Sequence, residues 1–415
     1  MSILVDRFRE TVSKVKDIRM KQEAEQNVSY PTGFLAFDYL NGVVTHVKSD
    51  KMDFTYNSIG IVDGSMVTLI GRTGCGKTTW MAQAAGKIIK PFKTSCIYHD
   101  NIEGGVVESR VESLLEMLPE ELQHRYIGRD SGITAENFYE RIKIIHDLKI
   151  SNREDFEYDT GLLNSKGEHI FKLEPTVYML DSLALLMPEK YTDEEELSGQ
   201  MSTTAAARTN ASIFRRIIPM LKAANIILFV INHITEKVSI NPMAKTQAQV
   251  SYLKPDESVG GGRIALYVSN LIIRMNDKEK LKESESYGIH GSVVEMQILK
   301  SRTTEAGRTI PLIFEFGKGF DRDLSLYYFI KECGLVKGAG AYLYFDGYDN
   351  IKFSQKQFKT KLQDSKELQE AFMSTAIIAL NTLLQQPEEE KYMNENKIDI
   401  TSMILSQTMQ QPAMA

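Results

Sequence analysis

Cysteine is scarce in this chain. Among 415 residues there are three, Cys75, Cys96 and Cys333. An odd count without paired metal spacing argues against a disulfide framework and fits a reduced, cytosolic compartment. Basic charge is not in excess: 49 Lys and Arg stand against 55 Asp and Glu, a formal net charge of -6. No global positive field advertises nucleic acid, so any DNA contact has to come from a local patch. No apolar run reaches the roughly 18 residues that a membrane span requires, so no membrane partner is expected. The N-terminal stretch MSILVDRFRETVSKVKDIRMKQEAE is charged throughout and lacks the apolar core of a secretory signal. No internal repeat is visible. What is present is ordinary for a soluble globular protein, 42% apolar and 25% charged, over a length that holds one large domain plus a smaller one, or two to three domains.

Periodicity sorts the chain into helices and strands. Residues 3 to 25 carry Ile3, Leu4, Phe8, Val12 and Val15 at three- and four-residue spacings. This is an amphipathic helix that either binds a partner or packs on its own core. YPTGFLAFDYLNG, residues 30 to 42, is a turn-rich approach to the core. VTLI (67 to 70) is a short β-rich run, and residues 77 to 90 continue at helical spacing. The runs SCIYHD (95 to 100), TVYMLDS (176 to 182) and IILFVINH (226 to 233) follow, with helical stretches between them. Short buried strands alternating with helices predict an α/β fold, with a mainly parallel sheet and helices on both faces. VVEMQILKSR and IPLIFEF, around a turn at Glu305-Ala306-Gly307, predict a hairpin over 291 to 316. Residues 128 to 175 contain the turn signal Asn164-Ser165-Lys166-Gly167 and few strong periodic segments, an excursion from the core. Residues 366 to 384 are helical through Leu368, Phe372, Ile377, Leu380 and Leu384. After Pro387 the chain becomes acidic and then rich in Gln and Met, which predicts a mobile tail over 386 to 415.

GRTGCGKTT is the motif with the most specific chemistry. Gly71, Arg72, Thr73, Gly74, Cys75, Gly76, Lys77, Thr78 and Thr79 follow a strand and open a helix, the context in which Gly-x4-Gly-Lys-Thr cradles phosphates. Glycines permit close approach, the backbone N–H groups point inward, and the helix start adds its positive end. Lys77 then places an ammonium on the terminal phosphates, and Thr78 offers a hydroxyl to Mg2+. A second metal contact is expected from Asp181, the carboxylate that closes the apolar strand TVYML, although Asp-Ser also suits a helix cap. Hydrolysis needs a carboxylate to orient and deprotonate water. Asp100 and Glu103, at the end of the SCIYH strand, both qualify, and Gly104-Gly105 beyond them suggests a tight bend. Asn232-His233, ending IILFVI, could contact the γ-phosphate.

In this order the segments resemble the RecA family of strand-exchange ATPases, closest to the phage-encoded (UvsX-type) recombinases. TGFLAFDYLNG, GRTGCGKTT, MLDSLALLMPEK, FVINHITEK, SVGGGRIALYVSNLIIRM and ILKSRTT carry the resemblance across residues 31 to 330. It implies a RecA-like P-loop ATPase core with a mainly parallel central sheet, an N-terminal helical arm and a small C-terminal domain. It also implies ATP and Mg2+ as cofactors and a helical filament on DNA, single- and double-stranded DNA being partners. Single-strand-binding and loader proteins are implied as further partners, and a host cytoplasm if the source is a virus. Lys77 and Thr78 then hold phosphate and metal, Asp181 works on the metal side, and His233 takes the sensor place. The family has Asp-x-Glu where this chain has Asp100-Asn101-Ile102-Glu103, one residue longer; Glu103 matches better through the Gly after it, and Asp100 stays open. Lys300 and Arg302 match positions that act across the subunit interface.

The resemblance places DNA contact in residues 188 to 208 and 235 to 259, both polar, small-residue segments expected to be mobile loops, with the glycine-marked exit after the second. Arg208, Lys237, Lys245, Tyr252 and Lys254 are the candidate side chains, with Gly260, Gly261 and Gly262 at the exit. The second segment balances Lys237, Lys245 and Lys254 against Glu236, Asp256 and Glu257, so simple electrostatics does not explain it. The expected organisation is an arm over 1–45, a core over 46–322, a small domain over 323–385 and a tail over 386–415. Two other classes remain in view. A ring-forming DnaB-type replicative helicase shares the phosphate loop and a Lys-x-Arg segment but usually has a sizeable N-terminal domain. A nucleotide-gated scaffold would use ATP to control assembly.

Overall fold

The computed structural model describes residues 27–48, 53–104, 108–164, 166–191, 199–236, 252–281 and 289–384. The amphipathic helix expected over 3 to 25 and the tail expected over 386 to 415 lie outside the described residues. In chain order the main elements are α1 (Leu35–Leu40), β1 (Met66–Gly71), α2 (Lys77–Ile89), β2 (Ile97–Asn101), α3 (Glu108–Leu115), β3 (Tyr126–Arg129), α4 (Ala135–Ser151), β4 (Thr176–Asp181), α5 (Gly199–Ala223) and β5 (Ile226–Glu236). They continue with β6 (Glu257–Val259), α6 (Ile264–Val268), β7 (Leu271–Lys280), β8 (Gly291–Ser301), β9 (Thr309–Glu315), β10 (Gly319–Asp321), α7 (Arg322–Glu332) and α8 (Lys366–Leu384). Among the described residues no helix is long and apolar enough to cross a membrane.

The ten strands form one sheet in the order β10-β9-β8-β7-β1-β5-β4-β2-β3, with β6 on the far end of β5. From β7 to β3 every pairing is parallel. The hairpin expected over 291 to 316 is β8–β9, antiparallel to its neighbours, and β10 extends it. All residues of β1 and β4 are buried, as central parallel strands covered on both faces must be.

Period-two alternation divides the core into two layers. Val177 and Met179 of β4, with Ile227, Phe229 and Ile231 of β5, face α2 and its Trp80. Tyr178 and Leu180, with Leu228 and Val230, face Phe138, Ile142 and Ile145 of α4 and Phe214, Ile217 and Leu221 of α5. Trp80 is fully buried, with Phe37 of α1 edge-on at 4.9 Å and Phe229 at 6.2 Å between ring centroids. The C-terminal part is built on packed aromatics, Tyr327 stacked on Phe358 at 4.4 Å and Phe345 tilted against Phe353 at 5.0 Å, in the same apolar cluster as α2. Tyr39 of α1 donates to Asn381 Oδ1 of α8 at 2.6 Å and ties the two ends of the described chain.

Two sequence expectations are corrected. Residues 128 to 175 are no mere excursion: α4 runs 17 residues and covers one face of the sheet. Its stripe is Phe138, Ile142 and Ile145, and the exposed Ile144 and Leu148 beside it blur the period. The rest of that segment includes a hairpin, Glu157–Leu163 against His169–Leu173, docked by Lys172 on Asp63 (2.8 Å) and Tyr158 on Tyr30 (3.0 Å). The second correction concerns 188 to 208, expected to be a loop. Residues 199 to 208 belong to α5. The boundary expected between residues 45 and 46 falls inside a strand, Val43–Lys48, which pairs with Asp53–Ser58.

Lys149 sits at the end of the buried stripe of α4, 1% exposed. Its Nζ donates to the carbonyl of Glu174 (2.6 Å), to Thr176 Oγ1 (3.1 Å) and to the carbonyl of Asn225 (3.4 Å). Burial pushes its pKa down to about 7, with Cys96 and Glu174 pulling back. The unfolded chain holds this proton up to pH of about 10.4, so between about 7 and 10 the fold rejects a proton that the unfolded chain keeps. Stability from this group is therefore lowest below pH 7 and rises with pH through that window. The melting temperature of Lys149→Met minus that of the wild type is expected to shrink steadily from pH 7 to pH 10. A flat difference would mean that the lysine is charged in the fold.

Candidate active site

Parallel strands in register end at a common edge, and four chain ends meet there. His233 of β5 lies opposite Gly71 of β1, and Asp181 of β4 lies opposite Asn101 of β2. The phosphate loop spans residues 72 to 76 between β1 and α2. Its crest, Arg72, Thr73 and Gly74, is exposed, whereas Lys77 is 5% exposed. Gly76 has φ +83°, and a Cβ there would lie 2.7 Å from Phe320 Cζ, so only glycine fits both the backbone and the space. Cys75 is buried, with its Sγ donating to the carbonyl of Arg72 at 3.0 Å, and burial raises its pKa. Lys77 Nζ closes the loop on itself by donating to the carbonyls of Arg72 (2.8 Å) and Gly71 (3.1 Å). Thr79 follows, half-buried on the first turn of α2.

Thr78 Oγ1 donates to Asp181 Oδ2 at 2.6 Å, which joins the helix after the loop to the end of β4. Asp181 is 2% exposed. Burial and the nearby Glu103 raise its pKa, while the Thr78 hydroxyl, His233 and Lys77 oppose them. Its Oδ1 is buried without a hydrogen-bond partner among the described residues. A hydroxyl beside a buried carboxylate with an oxygen to spare is an oxygen donor set that fits Mg2+.

Glu103 comes to the same place by a turn. The backbone N–H groups of Ile102 and Glu103 donate to the carbonyl of Asp181 (2.7 and 3.3 Å), and Gly104 follows with φ +64°. This turn absorbs the extra residue between Asp100 and Glu103. The carboxylate is then part of a chain. Ser182 Oγ donates to Glu103 Oε1 at 2.7 Å, His233 Nε2 lies 2.5 Å from the same oxygen, and His233 Nδ1 lies 3.4 Å from Thr73 Oγ1. Asp100 faces elsewhere. Its side chain is buried in the layer beneath α4, accepting from Tyr178 Oη at 2.5 Å and paired with Arg141. Burial raises its pKa, and Tyr178 and Arg141 only partly offset this. Arg141 was not singled out by the sequence; a cation directly before Ile142 on the buried stripe was the available signal.

Lys300 and Arg302 lie at the opposite edge. Lys300 pairs with Ile272, near the start of β7, and β7 runs alongside β1 with Leu271 opposite Val67. Lys300 is thus level with Thr68, about 10 Å along β1 from Gly71 at roughly 3.3 Å per residue, and Arg302 lies further on, beyond the level of Val67. Lys300 Nζ donates to the carbonyls of Tyr267 (2.8 Å) and Leu266 (3.2 Å) at the end of α6, and Arg302 is exposed.

Of the candidate DNA residues, Lys237 and Lys245 lie outside the described residues. Arg208 is exposed on α5, and Lys254 is exposed just before β6. Tyr252 is half-buried against the small apolar cluster of Ile70, Ile234, Leu253, Leu266 and Ile272. Gly260–Gly262 are used in packing: a Cβ on Gly261 would lie 2.4 Å from the carbonyl of Leu183, and one on Gly260 would lie 2.7 Å from Ala184 Cβ. Asn232 Nδ2 donates to the carbonyl of Gly260 at 2.9 Å, and its Oδ1 accepts from the backbone of His233. Glu257 is held by Arg274 of β7 in a two-point pair (2.5 and 2.9 Å). Burial raises the Glu257 carboxyl, but the Arg274 bonds outweigh it and hold it below the usual range. One of the three acids in the second segment is thus already neutralised.

No protein-family model matches this sequence. The chain is similar to RecA proteins: it is 26% identical to that of Borrelia duttonii over 42% of this chain and 44% of the relative. It is 24% identical to that of Chloroherpeton thalassium (46% and 49%) and 25% identical to that of Pseudomonas putida (41% and 44%). The chain spans about half the length of the curated relatives that it matches. A ten-stranded α/β sheet with a phosphate loop at its carboxyl edge, together with this similarity, supports kinship with RecA proteins.

Proposed function

We propose that this protein is an ATP-dependent DNA recombinase of the RecA type. It binds ATP with Mg2+, assembles as a helical homo-oligomer on single-stranded DNA, and pairs that strand with a homologous duplex. The observation that carries the reading is the Thr73–His233–Glu103–Ser182 chain lying against the Thr78–Asp181 bond, all at the mouth of one phosphate loop.

The loop backbone and Lys77 bind the phosphates, with the ammonium turning from the Gly71 and Arg72 carbonyls to the nucleotide. Thr78 and Asp181 hold Mg2+, which neutralises charge on the phosphates when bound. Glu103 orients and deprotonates the attacking water. His233, between Glu103 and the loop crest, is the contact that the γ-phosphate displaces. Its neighbour Asn232 is bonded to Gly260, so the same displacement reaches the exit of the second DNA segment. Arg208, Tyr252, Lys254, Gly260, Gly261 and Gly262 are the proposed DNA side, with Lys237 and Lys245 in the part not described. Lys300 and Arg302 cannot reach their own loop and serve the next subunit's nucleotide, which makes hydrolysis conditional on assembly. The four-part organisation, 1–45, 46–322, 323–385 and 386–415, with its first division moved off the strand Val43–Lys48, and a cytoplasmic location complete the proposal.

ATP turnover is expected to rise severalfold with single-stranded DNA, and micrographs with a non-hydrolysable ATP analogue are expected to show filaments. Hexameric rings would favour the helicase, and assembly without DNA-stimulated turnover would favour the scaffold.

The two carboxylates should separate cleanly. Glu103→Gln is expected to lower kcat by about 10²- to 10⁴-fold with nucleotide binding retained. Asp100→Asn is expected to cost about 1–3 kcal/mol of stability through Tyr178 and Arg141, with a much smaller change in kcat. Stability curves and steady-state kinetics on both variants check this, and a larger kcat loss in Asp100→Asn would reverse the roles.

Arg302→Ala is expected to bind ATP but lose about 10³-fold or more in turnover. Mixed with Lys77→Ala, itself inactive, it should regain activity, because each variant supplies what the other's interface lacks. No recovery on mixing would rule out catalysis across subunits by Arg302.

A further inference from the structure

We propose that Glu103, Asp181 and His233 bind a divalent transition-metal ion of the Mn2+ or Zn2+ class in the nucleotide-free protein. The site overlaps the nucleotide site proposed above, but it is defined by different ligands and is tested without nucleotide, so either reading can fail alone. The three side chains come from three neighbouring strand ends, and one ligand atom from each lies within 4.8 Å of the other two. Bonds of about 2.0–2.2 Å from a metal to nitrogen and oxygen ligands set the donors roughly 3–3.5 Å apart, so the wider pairs close by about 1 Å and the 2.5 Å contact between His233 Nε2 and Glu103 Oε1 opens to admit the ion. Glu103, with its side chain 34% exposed, is the ligand with room to adjust.

Donor chemistry sets the class of ion. Mg2+ prefers oxygen ligands and keeps its waters, whereas an imidazole with two carboxylates suits Mn2+ and Zn2+. The ligands are already oriented from behind. Thr78 Oγ1 holds Asp181, Ser182 Oγ holds Glu103, and Thr73 Oγ1 stands 3.4 Å from the second ring nitrogen of His233. A separate observation points to a missing partner. Asp181 is 2% exposed, yet its Oδ1 has no hydrogen-bond partner among the described residues. A buried carboxylate oxygen in that position is costly unless something binds it. The ion shares Asp181 with the proposed Mg2+ position and adds Glu103 and His233. It therefore ties up the groups that would activate water and report the γ-phosphate.

Mn2+ binding to the full-length, nucleotide-free protein is measured from the free Mn2+ signal in electron paramagnetic resonance. One tightly bound ion per chain is expected, displaced by Zn2+ and not by an equal concentration of Mg2+. His233→Gln keeps an amide beside Glu103 but removes the imidazole, and it is expected to weaken binding by at least about tenfold, as is Glu103→Gln. Lys77→Ala, which removes the phosphate-loop cation, should retain the ion. Surface pairs such as His169 with Asp159 set the background that remains in His233→Gln. Circular dichroism melts confirm that each variant is folded. Wild-type affinity in folded His233→Gln, or displacement by equimolar Mg2+, would overturn the proposal.

Discussion

Thr78 and Asp181 meet because β1, β5, β4 and β2 run parallel, with the ends of β1, β4 and β2 staggered by only about two residues and β5 running on to Glu236. Side chains alternate between faces with a period of two, so a slip of one residue between β4 and its neighbours would turn Asp181 into the layer beneath α4. The buried faces fix that register. Tyr178 and Leu180 pack on one side, Val177 and Met179 on the other, and neither set can change places without exposing large apolar surface. The site is thus a by-product of core packing. The sheet is held by its apolar faces, and its polar strand ends are left at the edge where dipoles and loops converge.

The same edge geometry explains why residues close in sequence have unrelated surroundings. Asp100 and Glu103 are three apart, yet one is sealed under α4 by Tyr178 and Arg141 while the other turns over the end of β4 to meet His233 and Ser182. Lys300 and Arg302 belong to the antiparallel extension, which carries them back to the far side of β1. Under the proposed function, a chain with its phosphate-binding groups at one edge and two cations at the other has complementary halves. Stacking such chains head to tail brings the halves together, which is the arrangement that an open helical assembly uses.

Much of this was legible in the sequence, for physical reasons that differ by element. β1, β4 and β5 were visible because central parallel strands are continuous apolar runs. The phosphate loop was visible because its glycines and lysine have few other uses in that order. The start of α5 was not. Among its described side chains the buried ones start with Ala206 and Asn210, residues too small or too polar to mark a stripe, and strengthen only at Ile213 and Phe214. The pairing of Asp100 with Arg141 was hidden because it joins residues 41 apart, from a strand and a helix in different layers. Gly260–Gly262 showed the opposite problem: a glycine run is conspicuous, but the sequence does not say whether close approach serves a ligand or, as with Leu183 and Ala184, the protein's own backbone.

Trp80 is the chain's single tryptophan, three residues beyond Lys77 on the first turns of α2. Its backbone N–H donates to the carbonyl of Gly76 at 2.9 Å, and its ring is enclosed by Phe34, Phe37 and Phe229. Tryptophan emission from this protein therefore originates at one place, directly under the phosphate loop. A rearrangement of that loop that shifts the first turn of α2 would act directly on the packing of the one native indole, a label-free optical handle on that turn.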